Sequence, residues 1–295
     1  MKNIIEYYYN TYVADIRMIE NNYYFICNDI EYIFSLVKNV DEIEQIYKRS
    51  IETLNNNFFH TIILNKDKKL LTTINNNNYI LLRINIKNNR YITFDDILFC
   101  SSLPIYNKDN INPQSLWQKK IDSFEYYIDY ISDRKELYRE YYDYFIGISE
   151  TAVSYLTFAI ENNTNEEPLC ICHRRIGKGY TLYDLYNPLN IVVDHKSRDI
   201  SEYIKTSIFN DEHIIDIDKI ITNSNLSSYG FKLLISRMLL PTFFFDAYEG
   251  NEEDKNKVIK KIIYFMPLYE KLVSELIESI KKRTNVPSIK WLNVN

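Results

Sequence analysis

The sequence predicts an α+β protein, with a small mixed-sheet N-terminal lobe at 1–92 and a larger, mainly helical C-terminal lobe at 93–295. Three observations carry this prediction. Short runs rich in Tyr, Phe and Ile, separated by Asn and Asp, fill the N-terminal part, which is the pattern of strands joined by turns. From Asp95 onward the apolar residues recur at helical spacing. A polar segment at 168–205 interrupts the helices with two short apolar runs.

The elements of the N-terminal lobe follow from these runs. Residues 1–20 predict a helix followed by a turn, and 22–28 with 31–38 predict a hairpin around Asn28-Asp29. The other predicted elements are a helix from Asp41 to about Leu54 and strands near 59–65, 69–74 and 79–86. The chain has five glycines and the first is Gly147, so this lobe lacks a glycine-rich phosphate-binding loop.

The C-terminal lobe is predicted to consist of helices around the polar segment. Pro113 precedes the first clear helical stripe of this lobe. The later predicted helices cover about 135–146, 149–162, 226–248 with a break around Pro241, and 254–283 with a kink at Pro267.

The charge and the termini exclude several classes of function. The net charge is −5 and the pI is about 5.6, so the sequence shows no excess of basic residues of the kind that binds nucleic acid. The N-terminus has no signal-peptide pattern, and no uncharged apolar run reaches the roughly 18 residues that cross a bilayer. The sequence therefore predicts cytoplasmic synthesis without a membrane span, and it leaves the oligomeric state open.

The segment 168–205 holds the candidate functional residues. An apolar strand runs into His173-Arg174-Arg175, a second strand ends at Asp194-His195, and Asp199 stands at the start of a helix. Polar side chains at the ends of buried strands are held rigidly, which is how active sites are often presented.

The motifs of this lobe carry a resemblance to a known family. They are Ser115-Leu116-Trp117, Gly147 to Ala152, Cys172 to Arg175, Val193 to Asp199 with Glu202-Tyr203-Ile204, and Ser236 to Pro241 leading into Phe244-Phe245-Asp246. The chain resembles the YutH-type endospore coat-associated proteins, which are related to CotS and belong with the aminoglycoside phosphotransferase-like kinases. The resemblance implies a two-lobed protein-kinase-like fold and a place in the spore coat among spore coat proteins. It does not by itself imply phosphotransfer.

The catalytic loop departs from the pattern of working relatives. Those relatives read His-Gly-Asp at the place where this chain has His173-Arg174-Arg175. A guanidinium keeps its proton in proteins, so Arg175 cannot be a general base. An altered register, in which Asp184 takes the role of the base and Asn190 that of a metal ligand, stays open.

The other candidates each have a functional and a structural interpretation. Asp194 occupies the place of a magnesium ligand, or it is a buried carboxylate paired with Arg174, Arg175 or Arg198. Lys38 matches the lysine that contacts the ATP phosphates, or it is a solvated residue at a strand end. His173 is a candidate for acid–base chemistry, although a structural imidazole is the simpler interpretation. We expect structural roles for Arg175, Arg198 and Asp199, with Asp199 anchoring the loop and the helix.

Three functions remain after these assignments. The first is a structural or assembly component of the spore coat on a degenerate kinase-like fold, without catalytic activity. The second is a phosphotransferase that uses ATP and Mg²⁺ with an atypical loop, and the third is a pseudokinase that binds a nucleotide without turnover. The sequence favours the first, because the loop is substituted and the N-terminal lobe has no glycines.

Overall fold

The protein is described from a computed structural model. The described residues are 1–19, 22–37, 39–53, 58–86, 88–103, 113–130, 136–161, 168–177, 179–210, 216–249 and 252–289. They fall into two compact units. The N-terminal unit contains Met1–Thr93 and Gly179–Val193, and the C-terminal unit contains Phe94–Ser102 with the described parts of Asp109–Lys178 and Asp194–Asn295. The segment Gly179–Val193, which lies inside the predicted range 93–295, therefore groups with the N-terminal unit.

The N-terminal unit is built on a mainly consecutive antiparallel sheet. Its elements are α1 (Lys2–Tyr9), β1 (Ile16–Ile19), β2 (Asn22–Cys27), β3 (Ile30–Val37), α2 (Ile43–Thr53), β4 (Thr61–Ile63), β5 (Thr72–Ile74) and β6 (Asn77–Arg83). The strand order is β1-β2-β3-β6-β4, and β5 also pairs with β6. All of these pairs are antiparallel. This unit also holds a four-residue helix, α6 (Leu182–Leu185), a 3-10 turn at Pro188–Asn190, and most of β8 (Ile191–Asp194).

The two faces of the sheet pack against different helices because successive strand residues point to opposite sides. Ile33 and Leu82 face the side of α2 and share a buried cluster with its Ile43 and Ile46. Phe34 and its neighbours on the other face pack with Ile5 of α1. The sheet is therefore covered on both faces.

The first twenty residues differ from the prediction. The helix is present, but Ile16–Ile19 forms strand β1, where the sequence predicted only a turn. The strand is short and carries the charged Arg17, and it pairs with β2 in register Arg17↔Tyr24. Its strand conformation comes from this pairing, which a local pattern of four residues does not reveal.

The C-terminal unit is mainly helical. Its elements are α3 (Phe94–Ser102), α4 (Pro113–Tyr130), α5 (Glu136–Glu161), β7 (Cys170–His173), α7 (Ser197–Asn210), α8 (Ile217–Ser224), α9 (Ser228–Leu239), α10 (Thr242–Glu249) and α11 (Glu252–Lys281). The core is one large apolar cluster, to which α5, α7, α9 and α11 all contribute buried side chains. Among the described helices, none is long and apolar enough to span a bilayer.

The helix boundaries confirm some predictions and correct others. The break at Pro241 is present, since α9 ends at Leu239 and α10 starts at Thr242. The two helices predicted at about 135–146 and 149–162 are one continuous helix, α5. Gly147 lies inside it with open space around its Cα, while Phe145, Ile148 and Ala152 are buried in the core. Their burial outweighs the roughly 1 kcal/mol that an interior glycine costs a helix.

Candidate functional site

His173 is the last residue of β7 and is fixed by a carboxylate from α7. Its side chain is fully buried, and its Nδ1 lies 2.6 Å from Asp199 Oδ2. Asp199 Oδ1 accepts the backbone N–H of His173 at 2.8 Å. One carboxylate therefore holds both the ring and the main chain at the start of the loop. The sequence predicted an anchoring role for Asp199, and this geometry supports that role.

Arg175 lies two residues further along the loop, at the position that the resemblance predicts to correspond to the catalytic Asp of working relatives. Its Nη2 donates to Asp246 Oδ1 at 2.9 Å, and its Nε donates to the other oxygen of that carboxylate. The two side chains are about two-fifths exposed. Arg175 therefore forms a two-pronged ion pair with a residue of α10, 71 positions along the chain.

Asp194, at the end of β8, is held from three sides. Its Oδ2 lies 3.0 Å from Arg198 Nη1, and its Oδ1 lies 2.5 Å from Arg237 Nη2. The backbone N–H of His195 donates to Oδ1 at 2.6 Å. We call Asp194, Arg198 and Arg237 the Asp194 clamp.

The charges of the clamp set the ionisation of Asp194. Burial by itself would raise the pKa of this carboxyl, because a low-dielectric surrounding disfavours the charged form. The neighbouring guanidinium groups of Arg237 and Arg198 outweigh burial, so the pKa lies below its usual value. Asp194 is therefore a carboxylate at neutral pH.

The two arginines of the clamp have different surroundings. Arg198 also donates to the carbonyls of His173 at 2.8 Å and Arg174 at 3.2 Å, so it ties the loop after β7 to Asp194. Arg237 is 8% exposed, and its guanidinium lies 5.5 Å from the centre of the Trp117 ring. The sequence offered Arg198 as a partner of Asp194 but not Arg237, which was visible only as part of the Ser236-Arg237 motif.

Cys172 and His195, which lie next to the clamp, contact backbone carbonyls and a hydroxyl group. Cys172 Sγ lies 3.6 and 3.5 Å from the carbonyls of Asp194 and His195. Burial is the main cause that raises the pKa of this thiol well above its usual value, so Cys172 is a poor nucleophile. His195 Nδ1 lies 2.9 Å from Ser197 Oγ, and a side chain at Gly230 would approach the imidazole to 3.1 Å.

A buried lysine was missed by the sequence reasoning. Lys205 on α7 is 4% exposed, and its ammonium donates to the carbonyl of Leu240 at 2.7 Å. Burial lowers its pKa to about 8, partly opposed by the nearby carboxylate of Glu202. The only signal in the sequence was its place at the end of the 168–205 segment, since a lysine on a helix normally faces solvent.

Asp184 and Asn190, the candidates for base and metal ligand in the altered catalytic-loop register, lie in the N-terminal unit. Asp184 Oδ2 accepts the backbone N–H of Thr181 at 2.8 Å and its hydroxyl at 2.9 Å, which caps α6. Asn190 ends the 3-10 turn, and its backbone N–H donates to Asn187 O at 3.0 Å. Asp184 is thus engaged in local capping. Lys38 lies outside the described residues.

The described ranges contain no group of three or more His, Cys, Asp or Glu side chains that could hold a metal ion. The N-terminal unit does contain a cavity of about 460 Å³. Tyr24, Ile26, Ile84 and Tyr183 supply much of its apolar wall, and Glu31 accepts the Tyr183 hydroxyl at its edge. Its volume is in the usual range of small-ligand sites.

Two solved structures illustrate the fold that this chain shares. An aminoglycoside phosphotransferase from Alicyclobacillus acidocaldarius subsp. acidocaldarius DSM 446 superposes with a TM-score of 0.64 at 7% identity, over 96% of both chains. An ethanolamine kinase of Plasmodium vivax gives a TM-score of 0.55 at 10% identity, over 87% of this chain and 83% of the other. At these identities the likeness establishes the aminoglycoside phosphotransferase-like fold alone.

Two sequence comparisons give the family. The "Endospore coat-associated protein YutH" of Bacillus subtilis (strain 168) is 26% identical over 210 residues, which cover 61% of this chain and 60% of that protein. The match thus spans less than two thirds of the relative. Residues 105–271, more than half of the chain, match the family model described as "Spore coat putative kinase YutH". The chain therefore belongs to the YutH family of spore coat proteins.

Proposed function

We propose that this protein is a structural or assembly component of the endospore coat, on a kinase fold that does not transfer phosphate. The observation that carries the proposal is the Asp194 clamp, in which both carboxylate oxygens are taken by guanidinium groups. A kinase needs the carboxylate at this place for a magnesium ion.

The clamp does not fit a magnesium ion. Magnesium requires oxygen ligands in near-ideal octahedral geometry. The two Asp194 oxygens already lie 3.0 and 2.5 Å from cationic nitrogens, and two guanidinium charges beside one carboxylate repel a divalent cation. The ion would have to displace Arg198 or Arg237 from a mostly buried pair.

The contacts of Arg175 and Asp184 support the same conclusion. Arg175, at the position that the resemblance assigns to the catalytic base, cannot lose its proton and is paired with Asp246. Asp184, the alternative base, accepts two hydrogen bonds from Thr181 in the cap of α6. Among the candidate residues, Asp194 and Asp184 are thus each held in a structural contact, and Arg175 cannot act as a base, which supports a fold without phosphotransfer.

The place of action is inferred from the relative. The Bacillus subtilis protein is named as endospore coat-associated, and we carry this association over to the present chain. We propose cytoplasmic synthesis followed by deposition in the coat, with spore coat proteins as partners.

A melting experiment tests whether phosphotransfer has been lost. The purified protein is melted with and without millimolar ATP and Mg²⁺, beside an active aminoglycoside phosphotransferase as the positive control. A ligand at about 100 times its dissociation constant adds roughly 2.7 kcal/mol, which is a shift of several degrees. We expect no shift that depends on Mg²⁺. A Mg²⁺-dependent shift accompanied by turnover of ATP would contradict the proposal.

A complementation experiment tests the coat role. A sporulating host that lacks its own copy receives either the wild-type gene or the Asp184→Asn variant, and coat assembly is scored by spore resistance and by coat protein extraction. A scaffold predicts equal rescue, because no base is needed. Failure of Asp184→Asn to rescue, with unchanged melting of the purified variant, would point instead to an enzyme that uses Asp184.

A second candidate function is favoured by the cavity of the N-terminal unit. In this alternative the protein is a pseudokinase that binds a nucleotide or metabolite without turnover. The cavity is mostly apolar and of ligand size, and its apolar wall includes Ile26, which is 57% exposed. The melting experiment distinguishes this case, because stabilisation by ATP would then appear without Mg²⁺ and disappear in Ile26→Glu.

A further inference from the structure

We propose that the outer edge of β1, which pairs only with β2 among the described residues, is a self-association surface, at which a second copy of this chain extends the N-terminal sheet. The inference goes beyond the proposed function and uses no residue of the Asp194 clamp. It rests on the position of β1, on the exposed apolar side chains around it, and on the order of its charges.

The strand β1 lies at one end of the sheet. Within the described part of the chain it pairs only with β2. An edge strand presents unpaired N–H and C=O groups to any extended chain that approaches. The N–H of Ile16 illustrates this, since it donates to the Asp15 carboxylate at 2.9 Å rather than to a neighbouring strand. A paired strand would offer a carbonyl in its place.

Three apolar side chains on β1 and the adjacent β2 are each more than half exposed. Met18 is 62% exposed and Ile19 is 54% exposed on β1, and Ile26 on the adjacent β2 is 57% exposed. Ile19 and Ile26 also line the cavity of about 460 Å³, and the edge already carries the charged Asp15 and Arg17. The apolar surface that stays exposed beside these charges is what a second strand would cover.

Asp15, just before β1, and Arg17 on β1 favour a second copy as the partner. Asp15 and Arg17 flank Ile16 and are 80% and 79% exposed, with only a long contact of 3.9 Å between them. In antiparallel pairing centred on Ile16, each Asp15 lies directly opposite the Arg17 of the other copy. Directly opposite residues share a face of the sheet, so two ion pairs form across a two-fold axis. Centring the pair on Arg17 would instead oppose two like charges.

The choice of a second copy therefore follows from self-complementarity. A foreign strand would need its own matching order of charges, whereas this chain already carries it in Asp15-Ile16-Arg17. The contact is short, so we expect a reversible dimer that strengthens at low salt.

Two single charge reversals and their mixture test the proposal. Arg17→Glu makes the edge all-acidic and Asp15→Arg makes it all-basic, so each variant should dimerise about tenfold or more weakly than wild type. An equimolar mixture of the two variants restores opposite charges at both positions and should dimerise again. Sedimentation velocity over a dilution series measures all three. Lys48→Glu, an exposed reversal on α2 of the same sign and size as Arg17→Glu, is the matched control.

Each result decides the question. Wild-type protein that stays monomeric up to its solubility limit would overturn the proposal. So would a dimer that Arg17→Glu and Asp15→Arg affect no more than Lys48→Glu does, because that dimer would use another surface or a different partner segment. Weakened single variants that fail to associate when mixed would overturn the pairing about Ile16. Circular dichroism of each variant verifies that these exposed changes leave the fold intact.

Discussion

Removing Arg237 should reveal how strongly the Asp194 clamp stabilises the C-terminal unit. We choose Arg237→Met because methionine retains an apolar contact with the Trp117 ring and removes only the charge and its hydrogen bonds. The substitution leaves Asp194, which is 15% exposed, with Arg198 and the His195 N–H as its remaining partners.

The expected loss follows from this geometry. Breaking a buried ion pair by removing one partner costs about 3–5 kcal/mol, since the other charge is left uncompensated. Because Asp194 keeps its contact with Arg198, we expect a loss of stability at or just below the low end of that range, about 2–3 kcal/mol. At about 2–4 °C per kcal/mol for a domain of roughly 150–250 residues, the melting temperature should fall by roughly 4–12 °C.

The pH dependence has a definite sign. Burial raises the pKa of Asp194, but Arg237 and Arg198 hold it below its usual value, so the carboxylate adds stability above its unfolded pKa of about 3.9. That stability is lost as the pH falls through the folded pKa. In Arg237→Met the pKa rises, so the difference between variant and wild type should be largest near neutral pH and shrink below about pH 4. Urea unfolding at several pH values measures it.

Two further variants make the test decisive. Arg175→Met breaks the exposed pair with Asp246 and should cost at most about 1 kcal/mol, which controls for loss of an arginine as such. The double variant Asp194→Asn/Arg237→Met should be less destabilised than the sum of its single changes, because no unpaired charge remains. An Arg237→Met protein as stable as wild type, or a loss that does not change with pH, would refute the reasoning.

Two other predictions concern buried groups of the C-terminal unit. Asp199→Ala removes the acceptor of both the His173 ring and its backbone N–H, and should lower the free energy of unfolding by about 3 kcal/mol or more in urea melts; a loss under 1 kcal/mol would contradict the anchoring role. Burial lowers the pKa of Lys205 from 10.5 to about 8. Between pH 8 and 10.5 the unfolded state therefore binds more protons than the folded state, so the free energy of unfolding should rise with pH across that range. Lys205→Met should abolish this rise, and an unchanged pH profile in the variant would exclude Lys205 as its source.

Local patterns predicted most of the elements. The hairpin of β2 and β3, the end of α9 before Pro241 and the strand that runs into His173 all follow from side-chain alternation and from proline. These signals lie within a few residues of one another, and backbone sterics act at that range. The prediction failed where packing outweighs local preference, as at Gly147 inside α5 and at β1, whose strand conformation depends on its neighbour.

The order of residues along the chain is enough to predict that His173 and Asp194 stand at the ends of β7 and β8. It also shows that Arg175, two residues after His173, cannot be a general base. Which charges meet depends on how the helices pack against one another. Arg237 is 43 residues from Asp194 and Asp246 is 71 from Arg175. Their contacts exist because α9 and α10 pack into the core that α5 and α7 share. Charge pairing across such distances follows from burial of the helices, and no periodicity in the chain encodes it.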